Sequence, residues 1–557
     1  MERGTSTLLP MKHLCLALTL LVSRLSAQTP DSLAISTQEL AARLEFFSSD
    51  LFEGRYPGKK GEELTTAYLI SELQSFGLQP GAAPAPGDTN PSWLQPVELL
   101  VQRPDSASPP VQARLSGRIS GELAPGKDVT FVNAGRRPDV ETAGDLVFVG
   151  YGIDAPMYKW NDFAGMDLKG KIAVMIFGEP SIPGDTVRFN GVRASRFSWF
   201  SDKLADLERR GAVGMLLIRP NGAFTQGPVR FGRFLAADVD DNGLRFLGGV
   251  TDTALARLLP PKAGSLAAVL KAAERPGFRA VPLGVKLAVR FRTQPSTVTS
   301  HNVIATVPGR EGAHAREHVV LSAHWDAYGI GKPVEGDSIY NGTLDDGSGV
   351  TALLALARVF ARHPQSRALT FLFTTAEEWG LFGAHAFVCS GPIPVDRIAA
   401  NLNLDDGIEL LGPKKDAAPL GVELSTLGQI ARSTAEHMGL KLSPDPYPEE
   451  GFFLRADNYP FARAGVPSLY MALGTEPVQG TKQFVDAKVK EYLEQHYHQP
   501  SDQWGTLEPL NLEGSKQFAE YVRDVTIAVA NQAQPPSWVV GGEFKREARS
   551  SSRKCAR

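Results

Sequence analysis

The sequence predicts a mixed α/β protein: a mostly parallel central sheet with helices on both faces, plus an inserted β-rich module. Three observations predict it. From Ser300 onward, apolar strand-like runs alternate with helical periodicity, the pattern of repeated strand-helix-strand units. From about 126 to 291 the texture changes to short strands such as DLVFVGYGI and KIAVMIF between Gly and Pro turns. Histidine and acidic residues recur at the ends of the later strands, the edge where such sheets form their sites.

At 557 residues the chain exceeds one typical domain, and two domains are expected. Its 58 basic and 61 acidic residues leave a formal charge of -3, which gives no sign of a nucleic-acid partner. From Met11 the N-terminus reads MKHLCLALTLLVSRLSAQTP, a short basic start, an apolar stretch and a small residue, Ala27. This reads as a secretory signal peptide over 1–27, so the protein is expected to be secreted or periplasmic. No later run approaches the roughly 18–20 apolar residues of a membrane span. Of three cysteines, Cys15 leaves with the signal. Cys389 and Cys555 are too few for a disulfide framework or a thiolate cage, so a bound metal would take His and carboxylate.

The elements follow in order. Residues 28–125 form the first segment of the α/β domain; within it, residues 38–77 show two helical patterns around a Gly-containing loop, and a Pro/Gly/Ala-rich stretch follows from Gly81 to Trp93. The β-rich insert takes 126–291, and the α/β domain resumes over 292–535. There EHVVLSAHWD reads as a strand, GSGVTALLALARVFARH as an amphipathic helix, and ALTFLFTTAEE and ANLNLD as strands. Residues 536–557, rich in Pro and Gly and then basic and Ser-rich, are expected to be a disordered tail.

Neighbouring side chains of a strand point to opposite faces, so the adjacent Glu377 and Glu378 of FTTAEEWG would place one charge in the core. At a strand terminus, however, the last residue leaves the pleat and both can reach one site. His324 and Asp326, Asp345 and Asp346, and Asp405 and Asp406 fall at comparable exits or at the start of the next helix, and His498 comes later in HYHQPSDQW. Two His and three carboxylates suffice for a pair of zinc ions about 3.5–4 Å apart, and a further carboxylate can take a proton from water.

SAHWD, NGTLDDGSG, TTAEEWG and NLNLD, followed by RADNYPFARAGVPSLY and YHQPSD, resemble the M28 family of co-catalytic zinc metallopeptidases. The resemblance implies a zinc exopeptidase fold and two Zn²⁺ per chain, held by His324, Asp345, Glu378, Asp405 and His498, with Asp345 bridging. Glu377 would be the general base. Asp326 would orient His324, and the Asp345–Asp346 peptide corresponds to one usually cis in the family. Tyr497 matches a tyrosine that in some relatives hydrogen-bonds the oxyanion. Arg455 and Asp457 match a stretch near the substrate amine. One departure is Asn458, where relatives often have His. DLVFVGYGIDAPMYKWNDFAGMDLKGKIAVMI is similar to the protease-associated (PA) domain that many members carry. The implied activity is removal of N-terminal residues from peptide substrates. A carboxypeptidase shares the ligands, and a glutaminyl cyclase or a receptor-like protein that has lost catalysis is a further alternative.

Other motifs read as structural. His314 and His318 in EGAHAREH read as a surface loop, His385 as structural, and His496 as facing away from His498. GMDLKGK lacks the Ser or Thr and the following helix of a phosphate loop and reads as a turn. No G-x-S-x-G occurs, which removes the nucleophile elbow of a serine hydrolase.

Overall fold

The computed structural model describes Met1 and residues 33–85, 87–105, 109–182, 184–185, 188–191, 193–218, 233–236, 243–505 and 510–546. The expected signal peptide therefore lies outside the described residues. The chain divides into Met1–Ala34 and a large second unit, Ile35–Arg557.

Two helices open it, Thr37–Phe47 and Lys60–Phe76, as the 38–77 pattern predicts. Ser36 caps the first by accepting the Glu39 N–H at 3.3 Å, and Gly77, at φ 85°, ends the second. Four strands form the parallel part of the sheet, in the spatial order Ser468–Met471, Ile398–Leu404, His318–His324 and Ala368–Thr374. Ala368–Thr374 and Ile398–Leu404 are buried at every residue, as expected of parallel strands covered on both faces. Helices Ser348–Ala361 and Leu512–Asn531 pack on one side. On the other, Phe387 of helix Phe382–Ser390 and Phe461 of helix Asn458–Arg463 cover Ile304, Val320, Leu372 and Ile398. Strand His318–His324 is followed in the chain by its neighbour on one side and then by its neighbour on the other. The sheet thus reverses direction there and leaves a crevice at the carboxyl ends.

The insert is less separate than its texture suggests. One strand, Val281–Val307, runs straight through the expected boundary at 291. It pairs with Asp139–Phe148 and Gln112–Gly117 at one end and with Leu94–Pro104 and Ala368–Thr374 at the other. Strict alternation holds it extended: Leu283, Val285, Leu287, Val289 and Phe291 are buried while Lys286, Arg290 and Arg292 face water. Asp139–Phe148, Ile172–Ile176, Gly214–Ile218 and Phe246–Val250 form a second parallel set, with helices Phe200–Arg209, Asp252–Leu258 and Leu266–Ala273 beside it. The largest apolar cluster of this region draws only on residues between Ala113 and Phe291. GMDLKGK is a turn leading into Ile172–Ile176.

Part of the segment expected as a tail is packed. Within 536–546, Phe544 is buried among Phe453, Leu454 and Tyr459, with Trp538 beside it. The Trp538 indole N–H donates to Gly465 O at 2.9 Å. The two aromatics supply the apolar area that the basic composition of the tail hid. Residues 547–557 lie outside the described residues. Among the described residues, no helix is long and apolar enough to cross a membrane.

Candidate active site

The crevice at the carboxyl ends of the parallel strands gathers the histidines and carboxylates. His324 is the last residue of its strand, and its ring is buried. Asp345 and Asp346 occupy the turn Thr343–Gly347 before helix Ser348–Ala361, and the peptide between them is cis. Gly349 must be glycine there, because a Cβ would lie 2.2 Å from Asp346 Oδ1 and 2.3 Å from Leu404 O. Glu377 and Glu378 follow strand Ala368–Thr374, and Ala376, at φ 54°, turns the chain out of the pleat so that both reach the crevice.

The central relationship is the way Asp345 divides its carboxylate. Oδ1 lies 3.0 Å from His324 Nε2 and Oδ2 lies 3.2 Å from His498 Nε2. On the His324 side, Asp405 Oδ1 is 3.7 Å and Glu377 Oε2 3.9 Å from the same nitrogen. On the His498 side, Glu378 Oε2 is 3.1 Å away. Donor atoms of His324, Glu377 and Asp405, and likewise of His324, Asp345 and Glu378, lie within 4.8 Å of one another. All five expected ligands and Glu377 therefore converge.

Electrostatics at this centre are dominated by buried negative charge. Burial pushes Glu377 well above its ordinary value and raises Asp405 as well. Burial also opposes ionisation of Asp345, but hydrogen bonds with His324 and His498 outweigh it and hold that carboxyl well below its ordinary value. His498, despite burial, is pushed up to about 9 by Glu378 and Asp345. Ionising these buried carboxyls together requires a neutralising cation beside them. Imidazole nitrogen with carboxylate oxygen suits a borderline divalent metal, so the residues present fit zinc.

The supporting residues depart from expectation in detail. Asp326 faces the second ring nitrogen of His324 with its backbone carbonyl, at 3.1 Å, while its carboxylate is 3.8 Å away and accepts the Glu377 N–H at 3.0 Å. The short His-x-Asp spacing brings the carbonyl closer than the side chain. Asp346 is fully buried and accepts the backbone N–H groups of His324 and Gly349, each at 3.0 Å. Asp457 is buried behind the crevice and accepts a hydrogen bond from Thr374. Arg455 and Tyr497 do line the pocket beside Asp345, Glu377 and Asp405, with Ile408, Leu420, Phe452 and Tyr470 as apolar walls. Asn458 is buried and donates to Phe453 O at 2.8 Å.

Three residues that sequence reasoning passed over hold the centre together. Tyr328 places its hydroxyl 3.1 Å from His498 Nδ1. Asp502 accepts N–H groups from Leu344 at 2.9 Å and Asp345 at 3.3 Å. Arg55, buried in the first segment, donates to Trp325 O at 2.6 Å, Gly342 O at 2.8 Å, Phe47 O at 3.3 Å and Asn341 O, tying the loops after His324 and before Asp345. Asp502 closes the YHQPSD motif and Tyr328 follows SAHWD by two, so proximity to motifs was their signal; Arg55 had none. Of the remaining histidines, His318 opens its strand rather than sitting in a loop, with Nδ1 2.9 Å from Thr370 Oγ1. His496 meets Ser501 Oγ at 2.8 Å, and His385 lies near Cys389 Sγ, 3.6 Å from Nε2.

Residues 302–525 match the model of peptidase family M28, and the chain carries a domain of that family. It is 39% identical over 89 residues to a vacuolar membrane protease of Candida albicans, covering 16% of this chain and 9% of that protein. It is 32% identical over 108 residues to a probable leucine aminopeptidase 2 of Aspergillus oryzae, 19% of each. The chain thus spans less than a quarter of the length of these curated relatives. Among solved structures, the aminopeptidase from Aneurinibacillus sp. strain AM-1 superposes with a TM-score of 0.50 at 19% identity, over 90% of this chain and 96% of that one, a likeness of fold.

Proposed function

We propose that the protein is a zinc-dependent exopeptidase that removes N-terminal residues from peptides. The observation that carries this reading is the placement of the two Asp345 oxygens against two histidines, 3.0 and 3.2 Å away. Two zinc ions would be held by His324 and Asp405 on one side, His498 and Glu378 on the other, and Asp345 between them. When bound, zinc supplies Lewis acidity toward the scissile carbonyl and makes water easier to deprotonate. Glu377 takes the proton of the attacking water and hands it to the leaving amine. Tyr497 donates a hydrogen bond to the carbonyl oxygen as charge develops there. Carboxylates of the crevice hold the free α-amine, and the apolar pocket walls receive the N-terminal side chain. Similarity to the Aspergillus oryzae probable leucine aminopeptidase 2, with a fold like that of the Aneurinibacillus aminopeptidase, supports the aminopeptidase choice.

Residues 126–291 are proposed to be a PA domain that caps the crevice. Asp202 within it lies 3.5 Å from Arg463 of the M28 region, which supports such a seat. The N-terminal signal pattern supports export.

The test uses residues 28–557 prepared with zinc, assayed on a panel of aminoacyl chromogenic substrates beside amino-blocked peptides with free carboxyl ends. Chelator-sensitive release from the free-amine substrates alone supports the proposal. Cleavage of only the blocked peptides replaces it with a carboxypeptidase.

A further inference from the structure

Arg455 is a cation at a site proposed to take an ammonium, and what its guanidinium touches gives it a different task. Nη2 lies 3.0 Å from the Tyr497 hydroxyl. Nη1 lies 3.3 Å from Glu450 Oε2 and 3.4 Å from Glu450 O. Its guanidinium carbon also stands 5.5 Å from the ring centre of Phe452. The tyrosine ring is fixed independently, stacked on His498 at 3.6 Å and edge-on to Tyr492 at 5.9 Å.

Hydrogen-bond chemistry then sets a direction. A guanidinium has donors only, whereas a phenol has one donor and can accept. In the Arg455–Tyr497 contact the phenol oxygen must accept, so its own proton is left over. Among the described residues no other hydrogen-bond partner of the Tyr497 hydroxyl is found. Its O–H is therefore available to the pocket that Tyr497 shares with Asp345, Glu377 and Asp405. A charged donor on the oxygen also makes that O–H a stronger donor in turn.

We infer that Arg455 is a positioning residue which acts through Tyr497: braced by Glu450, it turns the phenol proton into the crevice, where the carbonyl oxygen of the scissile bond develops charge. No covalent bond forms or breaks in this step; one hydrogen bond, from Tyr497 to the substrate oxygen, strengthens as the carbonyl becomes tetrahedral. The substrate amine is left to the carboxylates. This inference rests on the peptidase reading above.

The test is a double-mutant cycle on the zinc-loaded protein, with whichever aminoacyl chromogenic substrate the wild type cleaves. Removing one oxyanion donor costs on the order of 10²–10³ in kcat, which is expected for Tyr497→Phe. Arg455→Met should lower kcat about tenfold or more with KM and zinc content unchanged, and Arg455→Lys should restore part of it. Added to Tyr497→Phe, Arg455→Met should cost nothing further. A full independent loss in the double variant, or a raised KM with kcat intact, overturns the inference. A second readout needs no turnover. The carbon-13 resonance of the labelled Tyr497 phenol carbon, assigned by its loss in Tyr497→Phe, should move in Arg455→Met. An unmoved resonance overturns the contact itself, while a moved resonance in a protein that cleaves no peptide leaves the contact standing and removes the peptidase reading.

Discussion

The carboxylate of Asp502 lies against the backbone of Asp345, with Oδ2 3.3 Å from the Asp345 nitrogen and Oδ1 2.9 Å from that of Leu344. It holds the turn that presents the shared carboxylate to both histidines, and Tyr492 donates to it at 3.2 Å. Asp502→Ala should leave the fold intact and weaken zinc binding by about 10- to 100-fold, the usual cost of losing a residue that orients a ligand. Competition with a chromogenic chelator measures this. Unchanged affinity would show that the turn holds itself.

Glu377→Gln keeps the shape and removes the proposed base. Zinc content should stay at the wild-type level while kcat falls by about 10²–10⁴-fold. Metal analysis and steady-state rates on the same preparation decide it. A variant with near-normal turnover assigns the base elsewhere, and one that loses zinc makes Glu377 a ligand.

His318 supplies a pH dependence away from the proposed metal site. Burial, aided by the charge of Arg397, lowers its pKa to about 4, against about 6.5 in an unfolded chain. The imidazole is neutral when folded, so stability present above about pH 6.5 is lost as pH falls through about 4. His318→Gln cannot take up that proton. Urea midpoints at pH 7 and pH 4.5 should fall less for the variant than for the wild type; equal falls would contradict the assignment.

Arg55 makes a stability prediction. It serves four backbone carbonyls, one at the end of helix Thr37–Phe47 and three in two loops, while buried to 1% exposure. Arg55→Met leaves those carbonyls without their donors and should destabilise by about 3 kcal/mol or more. Denaturant unfolding of the metal-free protein measures it, and a loss below about 1 kcal/mol would mean that water replaces the guanidinium.

How much of this was legible in the sequence depended on where the determining contacts lie. The strands that carry His324, Glu377 and Asp405 announce themselves because parallel strands buried on both faces need continuous apolar runs. The adjacent Glu377 and Glu378 were legible as an anomaly at a strand exit, though the left-handed Ala376 that resolves it was not. Arg55 lies 270 residues from Trp325, and nothing local marks a cation that will end among carbonyls. The continuous strand Val281–Val307 was hidden by Pro and Gly within it, which read as punctuation, although burial alternates regularly over 283–294. Phe544 was masked by the basic residues after it.

Zinc stoichiometry bears most directly on the proposed bridging role of Asp345. Metal-free protein of residues 28–557 is titrated with zinc and the bound metal per chain is counted, for the wild type and for Asp345→Ala. Two equivalents in the wild type, falling to one or fewer tightly bound in the variant, are expected if one carboxylate serves both histidines. A single equivalent in the wild type, or two retained without Asp345, would contradict the shared centre on which the proposed chemistry depends.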